Sequence, residues 1–161
     1  MKGSNLIAMK TALSVIGVGL VLVYVIGSGL WVNTGDNWYR SLNQPSWQPP
    51  DFIFGLIWPY NFIVLGFASF YVANRLSTAN AIIYLSIFAL SVACALTWAF
   101  QFYRPHNLFT ASISLCFVAL LTLPMLYFIY QASIPLFFAV IPYQLWVITA
   151  SYLSTTYARL N

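Results

Sequence analysis

The charged residues of this chain are so few and so far apart that its surface must be given over to lipid. There are six bases and two acids, Lys2, Lys10, Asp36, Arg40, Asp51, Arg75, Arg104 and Arg159. Between them lie uncharged stretches of 25 residues (Lys10 to Asp36), 23 (Asp51 to Arg75), 28 (Arg75 to Arg104) and 54 (Arg104 to Arg159). About 20 apolar residues in a helix cross the hydrocarbon core of a bilayer. Each of the first three stretches therefore holds one crossing and the last holds two. The break in the last stretch is Gln131-Ala132-Ser133-Ile134-Pro135, a polar turn ending in a residue suited to a helix start.

The spacing predicts helices over about 7–31, 52–74, 79–103, 107–130 and 135–158. These form one all-α, five-helix transmembrane domain covering 1–161, with a long lid loop between the first and second helices. Composition agrees, since 61% of the residues are hydrophobic and 5% charged, against roughly a quarter charged in a soluble domain. The apolar run after Lys10 is longer than the 7–15-residue core of a secretory signal, so it reads as a membrane helix.

The net charge of +4 does not point to nucleic acid, because the bases stand apart and form no patch. They read as interfacial anchors, and their near-even split between the two sides favours neither orientation strongly. Cys94 and Cys116 fall within helices as small apolar residues. His106, the only histidine, has no second ligand nearby in sequence, so no metal site is expected.

The segment from Val32 to Asp51 is the least ordinary. Trp38 to Leu42 fits one interfacial helical turn, whereas Pro45, Pro49 and Pro50 exclude regular helix around Trp47. Trp31 and Trp38 suit a membrane-boundary aromatic belt. Trp47, with little backbone freedom left, suits the wall of a binding site. In the second helix Phe54, Trp58, Phe62 and Leu65 share one face, and Pro59 frees the Gly55 carbonyl beside Trp58. In the fifth, Trp146, Ala150 and Leu153 share a face behind Pro142 and Tyr143, a mixture that suits either a pocket or close helix packing. Ser91, Ala95 and Ala99 recur every four residues in the third helix, and such a seam seats a neighbouring helix or a second copy in a homodimer.

The pattern Trp38-Tyr39-x-x-Leu42-x-x-Pro45-Ser46-Trp47-x-Pro49-Pro50, followed by Gly55-x-x-Trp58 and later by Pro142-Tyr143-x-x-Trp146-x-x-x-Ala150-x-x-Leu153, resembles the TspO/translocator protein (tryptophan-rich sensory protein) family over nearly the whole length. Thr97 and Ser154 stand where that family typically has asparagines. The resemblance implies an integral multi-pass protein of a bacterial or mitochondrial outer membrane, acting as a receptor or sensor in tetrapyrrole regulation or transport. Its cavity would bind protoporphyrin IX, haem, bilins and other flat hydrophobic molecules as ligands, with no cofactor required. It places Trp38, Trp47, Phe54, Trp58, Phe62, Thr97, Pro142, Tyr143, Trp146, Ala150 and Leu153 at that cavity.

Two alternatives come with it. One is a light- and oxygen-dependent porphyrin-degrading enzyme in which Trp58 and Trp146 take part, although the residues themselves supply no catalytic acid, base or nucleophile within the membrane. The other is a sterol-binding or purely structural protein. Leu153, Tyr157 and Arg159 satisfy a loose sterol-contact pattern.

Overall fold

The computed structural model describes residues 2–161, with the side chains described from Gly3 onward. It contains six helices: α1 (Lys2–Trp31), α2 (Asn37–Ser41), α3 (Asp51–Arg75), α4 (Thr78–Tyr103), α5 (Leu108–Ala132) and α6 (Ile134–Leu160). All but α2 are long and apolar enough to cross a membrane. The first starts at Lys2 and not near residue 7, because nothing between Gly3 and Lys10 breaks the helix. The outward faces carry Ile16, Leu56, Phe67, Leu120 and Phe138. In water these would be a liability, but against lipid chains they cost nothing. The chain is an integral, multi-pass membrane protein.

Turn chemistry sets the helix ends. Ser77 accepts from the Asn80 N–H at 3.2 Å, and Asn107 from the Thr110 N–H at 3.0 Å. Ser133 alone separates α5 from α6, and its hydroxyl accepts from the Leu136 N–H, with Pro135 in the first turn where no donor is needed. Each cap satisfies an amide that the helix cannot.

The five long helices close a ring in the order α1, α3, α6, α5, α4 and back to α1. The ring is drawn tight where glycine replaces a side chain. A Cβ on Gly17 would lie 2.6 Å from the Ser69 Cβ and 3.2 Å from a Leu85 methyl, so α1 reaches α3 only because that atom is missing. Gly27 meets Leu96 of α4 in the same way. Polar ties add to the packing. The Ser151 hydroxyl donates to the Leu115 carbonyl at 2.9 Å, Gln144 donates to the Ala119 carbonyl at 3.2 Å, and Lys10 Nζ donates to the Asn74 carbonyl at 2.6 Å.

Ser91, Ala95 and Ala99 are all buried inside the ring. Their close-approach face is occupied by this chain's own helices. The Lys10–Asn74 contact marks one end of the bundle. The opposite end gathers the 32–50 segment, the α4–α5 turn and the C-terminus of α6, and the functional geometry lies there.

Candidate functional site

A cavity of about 450 Å³ opens among α1, α3, α4 and α6 beneath the 32–50 segment. Its walls follow from helix periodicity. On α3, Phe54, Gly55, Trp58 and Phe62 turn inward, and on α6, Trp146, Ala150, Leu153, Ser154 and Tyr157 do the same. Gly55 adds no side chain and nothing crowds it, so Trp58 borders open space. From α4 come Trp98, Phe102 and Tyr103, and from α1 the small residues Ser28 and Gly29.

The rings hold one another in place. Phe54 meets Trp146 edge-on at 5.1 Å, which links α3 to α6. Trp58 stacks on Phe62 at 5.6 Å and receives the edge of Tyr24 at 6.0 Å. Such pairs add about 0.5–1.5 kcal/mol each beyond area burial. The walls are therefore held by one another's rings.

The 32–50 segment is bound to the bundle by several contacts. Asp36 caps α2 by accepting from the Trp38 N–H at 3.3 Å. Tyr39 borders the cavity and packs on Phe102, Tyr103 and Tyr157. The Asn43 N–H donates to the Asn161 side chain at 2.8 Å, and the Tyr157 hydroxyl donates to Gln48 Oε1. Tyr157→Phe removes that last tie, and a hydrogen bond contributes about 1 kcal/mol net. Trypsin cleavage after the exposed Arg40 is predicted to accelerate about fivefold in the variant, provided cleavage follows local opening; an unchanged rate would show that this bond does not hold the segment.

Of the residues expected from the sequence, the structure brings together Phe54, Trp58, Phe62, Trp146, Ala150 and Leu153. It places the others elsewhere. Trp47 is 40% exposed and stacks at 5.0 Å on Tyr152, an outward-facing residue of α6. Trp38 lies flat on His106 at 3.7 Å, and a positive φ of 59° at that histidine shapes the tight α4–α5 turn. Thr97 faces outward and donates to the Ala93 carbonyl of its own helix at 2.8 Å. Tyr143 is wholly buried in the main core, and Pro142 is inside α6 away from the lining.

Tyr39, Trp98, Phe102, Tyr103, Ser154 and Tyr157 complete the walls without having been singled out as site residues. The signal for two of them was present. Tyr157 continues the Trp146-Ala150-Leu153 face by one more turn, and Phe102 lies one turn beyond Trp98. Both Leu153 and Tyr157 of the sterol-contact pattern are buried toward the chamber, while Arg159 is exposed.

A ring of five membrane helices with an aromatic-lined cavity at one end defines a multi-pass membrane protein. The TspO/MBR family model matches residues 11–160, and the chain belongs to that family. It is 29% identical over 147 residues to the tryptophan-rich protein TspO of Chlorobaculum tepidum, covering 89% of this chain and 92% of that one. The tryptophan-rich sensory protein of Cereibacter sphaeroides is 26% identical over 147 residues, covering 88% of this chain and 91% of its own. The human translocator protein is 27% identical over 96 residues, 58% of this chain and 57% of that one.

Proposed function

We propose that this protein is a membrane receptor or sensor that binds tetrapyrroles, protoporphyrin IX, haem or bilins, in the aromatic chamber, with a role in their regulation or transport. The observation that carries the reading is that Trp58 and Trp146 line one cavity from the neighbouring helices α3 and α6, with Phe54 of α3 edge-on to Trp146. A tetrapyrrole offers a broad π-face to such walls. The volume, about 450 Å³, falls within the range of small-molecule sites, roughly 300–1,000 Å³. Trp98 Nε1, Trp146 Nε1 and Ser154 Oγ are buried and without a partner in the protein. The names of the relatives, sensory protein and translocator protein, agree with a ligand-responsive or ligand-moving role.

A second reading is porphyrin degradation, favoured by the same placement of two oxidisable indoles in the lining of one cavity. Titration of the purified protein with haemin and protoporphyrin IX, followed by tryptophan fluorescence, tests the first reading. Saturable quenching at low micromolar ligand is expected, and a linear, unsaturated response would remove it. Illumination of the protoporphyrin IX complex in air separates the two readings. A new absorbing product that disappears in Trp58→Phe or Trp146→Phe would assign chemistry, and an unchanged spectrum would assign binding alone.

A further inference from the structure

We propose that Arg104 holds the carboxylate of the bound ligand, in a small polar pocket that adjoins the aromatic chamber; the inference rests on the tetrapyrrole reading and assigns its acidic side chains a place. The pocket has a volume of about 260 Å³ and shares Gly29, Val32 and Tyr103 with the chamber. Its remaining walls set Leu30 and Trp31 beside the polar side chains of Asn33, Asp36 and Arg104. Gly29, Val32 and Tyr103 thus put the polar pocket directly beside the chamber, where an acidic arm of a ligand in the chamber would be directed under this proposal.

Arg104 is the single basic side chain lining either space among the described residues. It follows the last turn of α4 and reaches across to α1, where Nη2 donates to the Leu30 carbonyl at 3.1 Å. A guanidinium has five N–H donors in a fork that matches a carboxylate. The Leu30 bond fixes the arm and leaves the other donors for a ligand. Lys10 and Arg75 belong to the far end of the bundle, and Arg40 and Arg159 line neither space.

The two acids of the chain also face this region, Asp36 in the polar pocket and Asp51 in the chamber. Each is engaged locally. Asp36 accepts from the Trp38 N–H, and Asp51 occupies the first turn of α3, where the helix dipole favours a negative charge. They oppose a ligand carboxylate and so make the site sensitive to charge on both partners.

The test compares protoporphyrin IX with its uncharged dimethyl ester on the full chain in detergent micelles. Arg104→Gln is expected to weaken protoporphyrin IX about tenfold, the scale of a charged hydrogen-bonded pair, and to move the ester less than twofold. Arg104→Lys, which keeps the charge but loses the fork, falls between. Asp36→Asn, which retains a capping side chain, is expected to tighten protoporphyrin IX severalfold and leave the ester alone. Added salt weakens the acid and not the ester. Equal weakening of both compounds by Arg104→Gln, or no change in either, overturns the assignment and leaves the chamber reading standing. Saturation of the wild type by neither compound removes both.

Discussion

Trp146→Ala is expected to lower affinity for protoporphyrin IX by at least about tenfold, and Trp58→Ala by a similar factor, while Trp47→Ala changes it less than twofold. Each of the first two substitutions removes a wall of the chamber. The lost stacking is worth about 0.5–1.5 kcal/mol, and the lost burial of a large side chain about 1.5–3 kcal/mol. Trp47 does not line the chamber, and its ring rests on Tyr152 at the outer surface. A fluorescence or absorbance titration of the three variants distinguishes the chamber from any general affinity of exposed aromatic rings for porphyrin. Equal losses in all three would place the ligand on the outside.

The second large effect concerns the fold itself. Gly17→Ala should destabilise the protein by about 1–3 kcal/mol, the usual range for overpacking. The new methyl would meet the buried Ser69 Cβ at 2.6 Å, and the hydroxyl of that serine is 3.4 Å from that of Tyr84, which ties α3 to α4. The closest atom there is a serine Cβ, fixed to its backbone, and only the Leu85 methyl at 3.2 Å can swing away. Gly27→Ala meets Leu96 Cδ2 at the same 2.6 Å, but a leucine methyl swings aside more easily, so its effect should be smaller. Gly19→Ala meets nothing within 4 Å and should be neutral or slightly stabilising. Thermal unfolding in detergent ranks the three, with Gly17→Ala lowered by about 2–12 °C. A Gly17→Ala protein as stable as Gly19→Ala would show that α1 and α3 do not meet at this depth.

The five crossings were legible in the sequence because lipid imposes a hard rule, that charged residues are excluded over about 20 positions. The inward faces of α3 and α6 were legible for a related reason: an aromatic and small-residue stripe at helical spacing has a direction once one member is placed. Trp58 and Trp146 were found in this way. What escaped was rotation and long-range closure. Thr97 and Trp98 are adjacent, and about 100° of helix turn separates them. The turn that sends Trp98 into the chamber sends Thr97 outward.

The prolines around Trp47 make its backbone stiff, but they do not say to which side the ring is fixed. That is decided by Tyr152, more than a hundred residues away. Ser91, Ala95 and Ala99 show the same limit. Small residues announce a close approach without naming the partner, and the ring closure of α4 against α1 and α5 supplies it from within the chain. Arg104 escaped because an arginine after a membrane helix looks like an ordinary anchor. Only the fold shows that it reaches α1 beside a pocket.

The measurement that bears most directly on the central claim is a crystal or cryo-EM structure of the protein with protoporphyrin IX bound. The macrocycle should lie between Trp58 and Trp146 beneath Tyr39. A macrocycle seated against Trp47 and Tyr152 on the lipid side, with the chamber walls unchanged, would contradict the assignment of the chamber as the binding site.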